Sequence, residues 1–148
     1  MRLRNLFSVE AIGTLAVVLS LIFVGIEIRD GNREARAATT QAYLDAEMVF
    51  QAELVEHADV WVQVVTEGDM SDPVAVQRAT TLFNMSMTLE SNRFHAARAG
   101  YLDYTDAILK LAVAWPFFEV WRASIGASGR SPEFLEYVDD LRRMETTE

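Results

Sequence analysis

The sequence predicts an all-α fold, one N-terminal transmembrane helix continuing into a small bundle of about four further helices. Three observations carry that expectation. Leu6 to Ile28 is an apolar run, LFSVEAIGTLAVVLSLIFVGIEI, and Ala11 to Ile26 carries no charge. Apolar residues beyond it recur at spacings of three and four, and no window alternates apolar and polar residues over strand length. Glycine, proline and asparagine fall between the helical stretches.

The run from Leu6 to Ile28 would span about 34 Å as a helix, and a hydrocarbon core is about 30 Å thick. Two rival readings exist. A cleaved signal peptide would also show the basic start of Arg2 and Arg4. The apolar stretch exceeds a signal core, however, and the one small-x-small triplet, Ala35-Arg36-Ala37, follows a cluster of charges. A buried core helix would need an apolar shell, and nothing later in the chain is apolar enough to supply it. The chain therefore divides into an anchor, 6–28, and a helical domain at the membrane surface, 29–148.

The first helix is expected to run on past Arg29, with a kink at Gly31-Asn32, to about Glu67. Its inward face reads Tyr43, Ala46, Phe50, Leu54, His57, Trp61 and Val64. Gly68 to Ser71 is a turn. Asp72 caps the next helix, with Pro73 in its first position. That helix runs to about Gly100 with Leu82, Phe83, Met87, Leu89 and Phe94 inward. The third begins near Asp103 with Ile108, Leu111, Ala112 and Trp115 inward, and Pro116 interrupts it or opens a short successor. Gly126 to Arg130 reads as a loop. Ser131-Pro132-Glu133 starts a last helix that packs through Phe134, Val138 and Leu141.

Charge narrows the partners. Net charge is −9, and Ala37 to Gln77 holds eight acidic residues and no Lys or Arg. Such a surface repels phosphate backbones, so nucleic acid is not an expected partner. The lipid bilayer is. Arg29, Arg33 and Arg36 recur at i, i+4 and i+7 on one helical face beside the membrane, where they suit anionic headgroups of a cytoplasmic leaflet. The domain is accordingly expected on the cytoplasmic side. The absence of cysteine excludes disulfides, thiolate metal sites and a cysteine nucleophile.

The anchor ends in IEIRDGNREARAATTQAY. This resembles a widespread family of small bacterial membrane proteins, in which the corresponding stretch typically reads IQIRQNTRALRAS followed by Gln-Ala. Gly100-Tyr101-Leu102-Asp103, the segment from Trp115-Pro116 to Trp121-Arg122, and Ser131-Pro132-Glu133-Phe134 extend the likeness along the chain. Glu27 and Asp30 depart from it, standing where the family has glutamine. The resemblance implies a single-pass topology in the bacterial inner membrane and an all-helical domain. It implies no mechanism.

Four groups of residues are candidates for function. Gly13, Ala16, Ser20 and Glu27 share one side of the anchor, opposite Leu15, Leu19 and Ile22. Small residues let helices approach closely in lipid, so this side is a candidate helix–helix interface. Glu27 there either reaches interfacial water or pairs with an arginine of a neighbour. His57, one turn after Glu53, falls short of the three or four ligands a metal site needs. Neither His57 nor His95 fits the Glu-x-x-His pairs of di-iron bundles, so no metal and no cofactor are expected. Glu90 falls on an apolar face and must be paired, hydrogen-bonded or protonated, with Arg93, Arg98 or an indole N–H as candidate partners. Glu90, His57, Trp61, Trp115 and Trp121 together form a candidate ligand pocket, although Trp115, Phe117, Phe118, Trp121 and Phe134 read equally as core. No nucleophile–base pair or phosphate-binding glycine loop appears.

These features predict a non-catalytic interaction or scaffolding module, a homo-oligomer or accessory subunit of a membrane complex. A membrane-anchored ligand sensor is the alternative. A metal-dependent enzyme would need both histidines and two carboxylates to converge.

Overall fold

The computed structural model describes residues 3–145, with side chains from Ala11 onward except that of Ile125. Every regular element among the described residues is helical. The chain divides into two compact units, the first ending at Ala38 and the second beginning at Thr39. The elements are α1 (Leu3–Glu56), α2 (Ala58–Val60), a π-helix (Trp61–Thr66), α3 (Pro73–Arg98), α4 (Ala107–Ala114), α5 (Phe117–Arg122), α6 (Ile125–Ser128) and α7 (Pro132–Glu145). The domain is thus more finely segmented than about four helices.

The first helix departs from expectation at both predicted irregularities. It passes Gly31-Asn32 unbroken and stops at Glu56, not near Glu67. A helix-interior glycine costs only about 1 kcal/mol against alanine, which a long helix absorbs. The break comes at His57, whose backbone takes φ −120° and ψ 32°. Beyond α2 the ladder widens: the Glu67 N–H donates to the Val62 carbonyl at 3.0 Å. This π-register rotates Trp61, Val64 and Val65 together into the core. Gly68 closes the turn with φ +77°, a conformation glycine adopts at little cost.

The start of α3 is as predicted. The Asp72 carboxylate accepts the Val74 N–H at 2.8 Å, and Pro73 occupies the first turn. Leu82, Phe83, Met87 and Phe94 are buried along it, and Leu89 is half-buried. Phe83 stands at the centre of the aromatic core. Its ring lies 6.0 Å from that of Trp61, 6.4 Å from Trp115, 5.5 Å from Phe117 and 5.8 Å from Trp121.

The phase of α4 is corrected by the structure. The helix begins at Ala107 rather than near Asp103, because Tyr104 packs on Phe94 and Asp106 accepts the Tyr137 hydroxyl at 3.2 Å. Leu109, Ala112 and Val113 face inward, and Ile108 and Leu111 are exposed. Ala46 on α1 is exposed as well. Pro116 separates α4 from α5 as expected, and α7 buries Phe134, Val138 and Leu141. Arg122 of α5 ties to α7 through a two-pronged pair with Asp139, at 2.9 and 2.8 Å.

The predicted loop at Gly126 to Arg130 overlaps the single turn α6, which begins one residue earlier at Ile125. That turn lies against α3 so closely that a Cβ on Gly126 would come 1.9 Å from Asn84 Oδ1. The same oxygen accepts the Trp121 indole N–H at 2.8 Å. Gly126→Ala should therefore overpack the contact and displace a half-buried acceptor, destabilising the domain by about 1–3 kcal/mol. Denaturant titration of the variant is the check, and an unchanged midpoint would show that the turn yields freely.

Candidate functional site

The first candidate surface is α1 between Ala11 and Arg36. Every side chain in this stretch is exposed, including Leu15 at 58%, Phe23 at 61% and Ile26 at 53%. An apolar patch of this extent is far larger than soluble monomers leave uncovered. Among the described residues, α1 is the one helix long and apolar enough to cross a membrane. The backbone explains how this stretch holds itself together: in a helix every interior N–H and C=O is satisfied within the segment, as lipid requires. Ser20 follows the same rule, donating its hydroxyl to the Ala16 carbonyl at 2.8 Å. Gly13 has nothing within 4 Å of where a Cβ would stand. Glu27 is exposed on this helix, and Arg29, Arg33 and Arg36 line a surface concavity with Gly25, Ile28 and Asn32.

The second candidate lies within the domain, where α1 packs on α3. Glu90 is 2% exposed. Its Oε1 receives a long contact from Arg93 Nη1 at 3.4 Å, and its Oε2 has no hydrogen-bond partner. The Arg93 guanidinium stands 4.9 Å from the ring centre of Tyr43 on α1 and 5.9 Å from that of Tyr104. Arg93 is therefore held between two aromatic faces, where its charge is attracted to both. The Tyr104 hydroxyl is also buried without a partner. Burial pushes the Glu90 carboxyl above the ordinary glutamate range, with the Arg93 charge opposing the shift. Burial likewise pushes the Tyr43 hydroxyl up to about 12. Tyr43 and Glu90 thus sit in one desolvated cluster spanning α1, α3 and the segment before α4.

Arg93, of the partners anticipated for Glu90, is the one that meets it. Arg98 pairs instead with Glu133 at 3.2 Å, and the Trp121 indole binds Asn84. The residues proposed as a pocket separate into distinct surroundings. Trp61 and Trp115 meet edge to face at 5.4 Å, and Trp121 joins them through Phe83. Trp121 is fully buried. His57 lies at the helix break, 4.0 Å from Glu53, with a side chain 30% exposed. Glu90 belongs to the tyrosine–arginine cluster. What flanks α3 instead is a pair of cavities on its α1 side. One, of about 280 Å³, is lined by residues including Tyr43, Leu89 and Ala96. Its neighbour, of about 430 Å³, includes Val49, Phe50 and Met85, and the two share Ala46, Leu89 and Asn92.

His95 meets Ser131 Oγ at 2.9 Å, and that hydroxyl accepts the Phe134 N–H at 3.2 Å, fastening α3 to the start of α7. Among the described residues no three His, Asp or Glu side chains gather as metal ligands would. The sequence reading missed Arg130, which reaches from beyond α6 to the Asn84 carbonyl at 3.0 Å. A charged residue in a predicted loop gives no signal of such a contact. Compared with protein families, with curated proteins and with solved structures, the chain finds no match.

Proposed function

We propose that the chain is a single-pass protein of the bacterial inner membrane. Its helical domain, 29–148, works as a non-catalytic interaction module in a homo-oligomer or as an accessory subunit of a membrane complex. The resemblance to the family of small bacterial membrane proteins points the same way. One observation carries the reading: Ala11 to Ile26 leaves large apolar side chains uncovered on every side of α1, with charge beginning at both ends. In water such a surface would be covered. In a bilayer it is already in the right solvent.

The arginines at 29, 33 and 36 fall at headgroup depth and favour a cytoplasmic domain. The side of Gly13, Ala16, Ser20 and Glu27 is the surface that association would use, because lipid gives helices no hydrophobic reason to meet and close packing must supply it. The domain's interior supports a structural role: its tryptophans form a filled aromatic core rather than the wall of a cavity. The cavities shared by α1 and α3 favour one second reading, a membrane-anchored module for a small apolar ligand, with Tyr43 as the polar group at its edge.

Alkaline extraction of native membranes tests the anchor, and the protein is expected to stay with the lipid. A reporter fused after Glu148 tests orientation, and cytoplasmic activity is expected. Release at high pH would contradict the anchor, and a reporter active only outside would reverse the orientation.

A further inference from the structure

The short stretch of α1 that leaves the membrane is two-faced in charge. Placed at about 100° per residue, Arg29, Arg33 and Arg36 fall within an arc of about 60°. Glu27, Asp30 and Glu34 fall within a second arc of about 60°, its centre about 125° away from the first. All six side chains are exposed. Among the described residues neither Arg29 nor Arg33 forms an ion pair. The spacing sets like charges one turn apart, Arg29 with Arg33 and Asp30 with Glu34, which costs an isolated helix a few tenths of a kcal/mol per pair, and only Asp30 with Arg33 stands three residues apart with opposite sign. A helix stabilised by its own ion pairs would have mixed the signs on each face. This one separates them.

We infer that the partner of this helix is α1 of a second copy, seated with the acidic side of one copy against the arginine side of the next. This rests on the single-pass reading above and names the surface through which such a protein would associate. Copies inserted in one orientation have parallel α1 helices at equal depth. In that arrangement Arg29, Arg33 and Arg36 stand two or three residues above Glu27, Asp30 and Glu34 of the neighbour, about 3–4.5 Å higher. Side chains on a helix lean toward its N-terminus, so each arginine reaches down onto the carboxylate paired with it. At the edge of the hydrocarbon these pairs are screened less than in open solution. A contact centred on either arc would set like charge on like, whereas a two-fold pair centred between the arcs and a head-to-tail row both bring acid against arginine. Anionic lipid is the rival occupant of the arginine side, and it would leave the acidic side without a partner.

The chain has no cysteine, so single substitutions give a clean background. Phe23→Cys lies on the acidic side and Ile22→Cys on the arginine side. Full-length chains carrying one or the other are co-expressed, and their membranes are oxidised. The mixture is expected to crosslink, and neither variant alone should do so to a comparable extent. Arg29→Glu, Arg33→Glu and Arg36→Glu together should abolish the crosslink, and adding Glu27→Arg, Asp30→Arg and Glu34→Arg to the same chains should restore it. Vesicles of phosphatidylcholine alone should support the same result. Crosslinking by either variant alone as strongly as by the mixture would overturn the contact of acidic side on arginine side while leaving the membrane reading intact. So would a mixture that never crosslinks although alkaline extraction shows it anchored. Failure of the full charge exchange to restore the link, or dependence on anionic lipid, would assign the arginines to headgroups instead.

Discussion

Trp61→Ala is expected to destabilise the domain by about 3–5 kcal/mol, the range for deleting a large buried aromatic side chain. Trp61 is 9% exposed and touches three aromatic rings: Phe50 of α1, Phe83 of α3 and Trp115 before α5. It therefore joins the end of the long helix to the rest of the domain. The neighbours cannot collapse into the space left behind, since Phe83 is itself fixed by Phe117 and Trp121. Val62→Ala is the matched control, because Val62 lies on the same π-turn and is 49% exposed. Thermal or denaturant unfolding in detergent reads out both. A loss below about 0.5 kcal/mol for Trp61→Ala, the scale of an ordinary surface change, would remove Trp61 from the core.

Arg93→Met is the second large effect. It removes the charge beside a nearly buried carboxylate, and breaking a buried pair from one side costs about 3–5 kcal/mol. The loss is expected to be greatest where Glu90 is ionised. In the wild type the Glu90 carboxyl is raised in the fold by burial, so the folded state holds its proton more tightly than the unfolded chain. The sign follows. The contribution of Glu90 favours folding at low pH and is lost as pH rises from about 4.3, the ordinary glutamate value, through the raised one. Glu90→Gln should flatten that dependence and leave the protein at least as stable as wild type near pH 8. Combined with Arg93→Met, it should recover most of the single-variant loss, and a double-mutant cycle measured at pH 5 and pH 8 would show the coupling. Identical losses for Arg93→Met at both pH values would mean that Arg93 acts by packing on Tyr43 and Tyr104 alone.

The parts of this fold that can be read from sequence are those written in local stereochemistry. Asp72-Pro73 and Pro116 mark boundaries because proline fixes φ and lacks an N–H, whatever surrounds it. The burial of Glu90 is legible from its apolar neighbours, and Arg93 is within one helical turn of it. The clasp of Arg93 between Tyr43 and Tyr104 is not, because those rings arrive from different elements. The π-turn at Trp61 escapes for a similar reason. Trp61, Val64 and the residues before them fit ordinary helical spacing, and the wider register arises only because Trp61, Val64 and Val65 are all drawn into one core. The inward face of α4 is misjudged by one residue, since Ala107 to Ala114 is apolar on nearly every side and α7 decides which side is covered. The aromatic set of Trp61, Trp115 and Trp121 could be read as core or as pocket from composition alone. Their mutual ring contacts support the core.

The central claim is that Ala11 to Ile28 lies within a bilayer and that water begins at Arg29. Single cysteines placed at successive positions from 11 to 40 in the otherwise cysteine-free chain, then exposed to a water-soluble maleimide in intact and permeabilised native membranes, test it most directly. The expected profile is a protected window over 11–28 with labelling rising at 29–33. Labelling at positions 15, 19 and 22 as strong as at 33 would contradict it, and would mean that the apolar surface of α1 is covered by protein in water rather than by lipid.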